Sequence, residues 1–146
     1  MAISEPQKLG KGEAKRHRRR YHNGGENSSN VYGALDLGTN NCRLLVAKRQ
    51  GRGFRVIDSF SRIVRLGEGV SLTGKLSDDA MDRTVEALGI CADKMRRVGV
   101  THMRCVATEV CRKADNSAAF LARVAEECGI KLDIITTAEE AALAAE

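Results

Sequence analysis

The sequence predicts an α/β fold built on a mixed, five-stranded sheet, and three features carry that expectation. Between Val31 and Arg49, two short apolar runs flank a polar turn that contains Gly38, the pattern of a β-hairpin. From Ser77 to Gly99 the apolar residues recur with a helical period. Beyond Gly99, short apolar runs alternate with helical segments. Strands joined through helices pair in parallel, with right-handed crossovers.

Taken in order, Val31–Asp36 and Leu44–Ala47 are the arms of the hairpin, and Gly38-Thr39-Asn40-Asn41 is its bend. Gly51-Arg52-Gly53 makes a second turn into Phe54–Phe60, a third strand that extends toward Val64. Strands joined by such short turns are antiparallel neighbours. The glycines of Arg65-Leu66-Gly67-Glu68-Gly69-Val70 mark a loop, and Thr73-Gly74-Lys75 another turn. Ser77 opens a helix whose first turn holds Asp78 and Asp79, where negative charge suits the helix dipole. Its inward face is expected to be Met81, Val85, Leu88, Ala92, Met95 and Val98, with Gly99 as the stop.

Met103–Ala107 is a short apolar run between helices and reads as a buried strand. Asn116 or Ser117 then caps a helix with Phe120, Leu121, Val124, Ala125 and Cys128 inward and Gly129 at its end. Ile130–Ile135 is a fifth strand with Leu132 and Ile134 inside. Thr137 begins a last helix, and Glu140 three residues on suggests a capping box. The order β-β-β-α-β-α-β-α is that of a ribonuclease H-like or actin-like lobe. The final helix, ending in Ala144-Ala145-Glu146, carries no stop signal, so a chain truncated within that helix is expected.

The net charge of +5 is unevenly placed. Residues 1–30 hold seven Lys and Arg against three Glu, leaving residues 31–146 with +1. That first segment is poor in apolar residues and is expected to be a disordered basic tail, with 31–146 as the lobe. Its run Lys15–Arg20 (KRHRRR) suits contact with a polyanion or nucleic acid, and is more simply a solvated tail. The five cysteines stand singly, with no CxxC, which fits reduced, core-packed thiols rather than disulfides or a zinc site. No apolar run approaches the ~18 residues of a membrane span, and the N-terminus lacks the apolar stretch of a secretory signal. A cytoplasmic protein without membrane contact is expected. His17, His22 and His102 are isolated, so histidine-based catalysis is not.

Three places carry residues suited to chemistry. Asp is depleted in strands, yet Asp36 stands between Leu35 and Leu37, beside the bend. That bend can offer backbone N–H groups and a hydroxyl to a phosphate, and Asp36 can hold an accompanying cation. An ordinary hairpin with a polar bend is the alternative. Thr108 and Arg112 follow the fourth strand, where ligands of open α/β sheets gather. There Arg112 can clamp a phosphate bidentately or lie solvated in a connecting turn. Glu139 and Glu140 follow the fifth strand on the same rim, and one of them can serve as general base toward a water attacking phosphorus. By spacing alone, Glu140 is more simply the partner of Thr137 in the cap.

Five segments in order, ALDLGTNNCRLLVA, RIVRLGEGV, LSDDAMDRTVEAL, VATEVCRKADNSAAFLARV and IITTAEEAAL, resemble the exopolyphosphatase/guanosine pentaphosphate phosphohydrolase family over about residues 31–146. The resemblance implies one lobe of a two-lobed, actin-like ATPase-superfamily enzyme. It implies hydrolysis of the terminal phosphoanhydride bond of inorganic polyphosphate or guanosine pentaphosphate with a divalent cation, usually Mg²⁺. It also implies a homodimer for the full-length protein, formed through regions beyond this chain.

Residue by residue, the loop from Asp36 through Gly38, Thr39 and Asn40 to Asn41 matches the first phosphate-binding loop, Arg112 the arginine that contacts substrate phosphate, and Glu140 the proposed catalytic base. Thr39 replaces a common Ser and keeps its hydroxyl, whereas Asn41 departs from another Ser. The family's second, DIGGGSTE-like phosphate loop is absent from the sequence, so weak or no activity is expected of this chain alone. A sugar-kinase-type lobe with a similar DLGT turn, or a polyanion-binding module acting through the tail, are the alternative readings.

Overall fold

A computed structural model describes residues 7–8 and 30–144. Lys15–Arg20 and most of the expected tail lie outside the described residues. Within that tail, β1 (Gln7–Lys8) is a two-residue strand that pairs with the outer edge of β5 (His102–Ala107).

The hairpin forms as its alternation predicts: β2 (Val31–Leu37) lies antiparallel to β3 (Asn41–Gln50), which turns into β4 (Gly53–Ile63). β5 joins the other side of β2 in parallel, and β6 (Asp133–Ile134) joins β5 in parallel. The predicted mixed sheet is therefore β4-β3-β2-β5-β6, with β1 beside β6 on the free edge of β5.

Period-two alternation separates the faces of this sheet. Leu35, Leu37, Cys42, Leu44, Val46, Met103, Cys105 and Ala107 are buried on one face. Ala34, Asp36, Arg43 and Leu45 stand exposed on the other. The buried face is covered by α2 (Asp78–Val98) and α4 (Ser117–Cys128). Each fully buried Leu there contributes roughly 1.5–3 kcal/mol of transfer free energy.

α2 begins and ends where its punctuation says. Ser77 Oγ accepts from Ala80 N at 3.1 Å, and Gly99 stops the helix in the left-handed region at φ 79°. Its buried face is rotated from the expected one. Ala80, Thr84, Ala87, Leu88, Cys91, Ala92 and Met95 are buried, while Met81, Val85 and Val98 are only partly so. Small side chains bring the helix close to the sheet, and the Val85 carbonyl accepts from Cys128 Sγ of α4 at 3.6 Å.

Four further expectations are corrected. Ala125 faces solvent on α4. Ile134 lies at the sheet edge with 41% of its surface exposed, and its neighbour Ile135 is buried instead. Two one-turn helices, α1 (Val70–Thr73) and α3 (Glu109–Lys113), are added, both too short to show a helical period. Finally, the capping box of α5 (Thr137–Ala144) is set one residue earlier than expected. Thr136 Oγ1 accepts from Glu139 N and Glu139 Oε2 accepts from Thr136 N, each at 3.1 Å. With Thr136 as the cap, Glu139 takes the position three residues on.

All five cysteines are free and buried. Burial pushes the Cys105 thiol up to about 12 and Cys111 up to about 11, so their nucleophilic thiolates are scarce at neutral pH. The native chain at pH 8 is expected to leave Cys105 and Cys111 unlabelled by an aromatic disulfide reagent. All five should react once urea unfolds it, and rapid labelling of these two in the native state would contradict the packing described.

Candidate active site

The bend between β2 and β3 is held from behind. Gly38 N donates to Asn41 O at 2.9 Å and closes the turn. Asn40 O accepts from Val64 N at 2.7 Å and Arg65 N at 3.0 Å, and Thr39 O accepts from Gly67 N at 3.0 Å. The loop carbonyls are thus bound to the segment that leaves β4. The N–H groups of Thr39 and Asn40 and the Thr39 hydroxyl meet no acceptor among the described residues. They remain as donors at the sheet's rim.

The latch segment is itself fixed from α2. Arg83 Nε donates to Val64 O at 3.0 Å and its Nη2 to Arg65 O at 3.3 Å, while Nη2 also pairs with Glu68 at 2.8 Å. Arg65 takes a positive φ of 50° between the fully buried Val64 and Leu66. Gly67 has no room for a side chain, because a Cβ there would lie 2.3 Å from Thr39 Cγ2. The two glycines of the RLGEG run signal a loop in the sequence. Nothing local marks Arg83, which reads as an ordinary polar residue on an amphipathic helix.

Thr108 lies beside the loop at the end of β5. It is buried, with its N–H donating to Leu37 O at 3.1 Å and its hydroxyl to the same oxygen at 3.5 Å. A Cβ on Gly38 would point at Thr108 Oγ1 from 4.0 Å, so the two residues share one side of the rim. One turn further on, Arg112 reaches the start of α5. Its Nη1 donates to Ile135 O, and its Nη2 lies 3.4 Å from both Thr137 Oγ1 and Glu140 Oε2. With Glu139 occupied in the cap, the Glu140 carboxylate points to Arg112 and toward Asp36.

Asp36 faces Arg43 across the hairpin. Desolvation raises its carboxyl above the ordinary value, the Glu140 carboxylate adds to the rise, and Arg43 opposes it. The structure therefore brings Asp36, Gly38–Asn41, Thr108, Arg112 and Glu140 to one rim, formed by the ends of β2, β5 and β6. Beside it, on the open face, lies a cleft of about 670 Å³ lined by Ala34, Asp36, Arg43, Leu45, Arg104 and Leu143 among others.

Residues 45–146 match the Ppx/GppA phosphatase family. The chain belongs to the Ppx/GppA phosphatase family. The matched span holds Thr108, Arg112 and Glu140, whereas Asp36–Asn41 precede it. A crystal structure of the Aquifex aeolicus Ppx/GppA family member is 31% identical, with a TM-score of 0.74, and covers 76% of this chain and 36% of its own. An exopolyphosphatase from Cytophaga hutchinsonii is 26% identical with a TM-score of 0.75, covering 77% of this chain and 36% of its own. The fold is thus that of Ppx/GppA structures, and the chain spans about a third of their length.

The contact between Gly67 and Thr39 yields a direct test of the latch. Gly67→Ala is expected to cost about 1–3 kcal/mol by overpacking, read by urea denaturation. Thr39→Ser removes the methyl that the new Cβ meets, so the double variant should recover part of the loss. Strict additivity of the two changes would show that the loop does not press on Gly67.

Proposed function

We propose that this chain forms the phosphate-gripping lobe of a hydrolase that cleaves the terminal phosphoanhydride bond of inorganic polyphosphate or guanosine pentaphosphate. The observation that carries this reading is the convergence of free loop donors with Arg112 and a Glu140 released from its helix cap. Backbone N–H groups fixed in advance lose no energy to reorganisation when charge develops on phosphate oxygens. Phosphoryl transfer depends largely on such holding, because its charge spreads over those oxygens.

In this arrangement Thr39 and Asn40 donate to a phosphate through their amides, with the Thr39 hydroxyl and the side chain of Asn41 beside them, and the buried Thr108 backs the loop through Leu37. Gly38 leaves the approach open. Arg112 neutralises phosphate charge and, through its bonds to Ile135 and Thr137, keeps Glu140 in position. Glu140 accepts the proton of the attacking water as the bond to the terminal phosphorus forms and the shortened chain departs with the bridging oxygen.

A divalent cation fits this donor set. Mg²⁺ prefers hard oxygen ligands and is commonly held by one or two carboxylates together with substrate phosphates and water. Asp36 supplies such a carboxylate, and Glu140 lies near enough to feel its charge. No cluster of three or more His, Cys, Asp or Glu among the described residues forms a protein-only cage. Bound there, the cation would neutralise phosphate charge. No described helix is long and apolar enough to cross a membrane, and we place the reaction in the cytoplasm, in a homodimer of the complete enzyme.

The decisive test uses a chimera in which residues 31–146 replace the matched third of the Aquifex aeolicus phosphatase. Glu140→Gln there should lower phosphate release from polyphosphate or guanosine pentaphosphate by at least a hundredfold, in line with loss of a general base, with the melting temperature unchanged. Thr136→Val should do the reverse, costing about 1 kcal/mol of stability as a lost cap while sparing turnover. Retained turnover in Glu140→Gln would exclude it as the base. The 146-residue chain by itself should release phosphate far more slowly than the chimera.

A further inference from the structure

The β3–β4 hairpin tip lies at the end of the sheet away from the phosphate loop. β3 runs for ten residues from Asn41 beside that loop to Gln50 at the tip, a span of about 30 Å at strand rise. Within residues 48–55 stand Lys48, Arg49, Arg52 and Arg55, without an Asp or Glu. All four are exposed, and none has an ion pair or side-chain hydrogen bond among the described residues. Over the helical layer, by contrast, Arg83, Lys94, Arg96, Lys113 and Arg123 each pair with a carboxylate. Arg49 stands on the open face, in alternation with Arg43 and Leu45, whereas Lys48, the ladder partner of the buried Val31, and Arg55 opposite it lie on the other side of the hairpin.

Aromatic rings accompany Arg49 on the open face. Phe54, 64% exposed, is the ladder partner of Arg49. Its ring meets Tyr32 edge-on at 5.5 Å, and Tyr32 in turn stacks on His102 at 5.4 Å with an interplanar angle of 25°. The row crosses β4, β2 and β5 on the open face. Two residues beyond His102, Arg104 has a buried Nε with no hydrogen-bond partner among the described residues.

We propose that this surface binds single-stranded nucleic acid. Cations that track a phosphate backbone, interleaved with exposed rings on which unpaired bases stack, are the two components of sequence-independent single-strand binding. Inorganic polyphosphate would engage the cations but has no base to stack on Phe54. A duplex keeps its base faces inside the helix and would also leave that ring unused. The surface is separate from the phosphate loop, so nucleic acid bound here would leave the rim free, and the inference does not depend on the hydrolytic reading.

The test is fluorescence anisotropy with a labelled twelve-residue oligouridylate and the full 146-residue chain, repeated over a salt series. Arg49→Ala/Arg52→Ala should weaken binding at least fivefold and flatten the logarithmic salt slope by about 1.4, the loss of two phosphate contacts to a single strand. Phe54→Leu keeps an apolar side chain but removes the ring. It should weaken oligouridylate binding about fivefold or more while leaving calorimetric affinity for inorganic polyphosphate unchanged. Circular dichroism melts of all variants should overlay the parent chain. Absence of oligouridylate binding by the parent, or binding by the charge variant equal to the parent, would overturn the proposal. A Phe54→Leu variant that binds as the parent does would make the tip a general polyanion patch and overturn the assignment to nucleic acid.

Discussion

The site depends on how the peptide groups between Gly38 and Asn41 are divided. An N–H and a C=O on one peptide point in opposite directions, so fixing the carbonyls from one side determines where the amides aim. Here the Thr39 carbonyl is consumed by the Gly67 N–H, which turns the Asn40 N–H of the same peptide the opposite way, and the Asn40 carbonyl is consumed by Val64 and Arg65. Arg83 extends that restraint into α2 by binding the carbonyls of Val64 and Arg65. A loop of small polar residues, free to adopt many backbone states by itself, is thereby held in one.

A second restraint acts from the opposite side of the rim. Arg112 joins the end of β6 to the first turn of α5 through Ile135, Thr137 and Glu140. One guanidinium can serve all three because its donors lie in a rigid planar fork, which an ammonium group does not provide. The same contacts set two carboxylates, Asp36 and Glu140, within each other's field. That arrangement is unfavourable for two bare anions and suits a site that receives cations.

The two ends of the sheet carry different chemistry on a common frame. At one end strands terminate in backbone donors, a guanidinium and paired acids. At the other the long β3–β4 hairpin projects uncompensated cations and an exposed ring. Between them lies the open face, which α5 reaches through Leu143. The buried face is packed by α2 and α4.

Much of this was legible in the chain. Alternation in β2 and β3, the Ser77 cap, the Gly99 stop and the helical period between them each rest on local rules of backbone and side-chain geometry, so neighbouring residues suffice to read them. The convergence of Asp36, Thr108, Arg112 and Glu140 followed from strand order and from the family resemblance. What the sequence did not show are relations between distant residues: the fit of Gly67 against Thr39, the grip of Arg83 on the latch, and the rotation of α2 that buries Thr84 and Cys91. Spacing alone put Glu140 rather than Glu139 in the cap, since adjacent acids behind adjacent threonines allow two capping registers. The sequence by itself determined the elements, their order and the residues available for phosphate chemistry, because these depend on short-range periodicity and turn preference. Only the tertiary structure decided which Glu caps α5 and which is free, because that choice is made by Arg112, twenty-eight residues away in sequence and in contact only once β5 and β6 lie side by side.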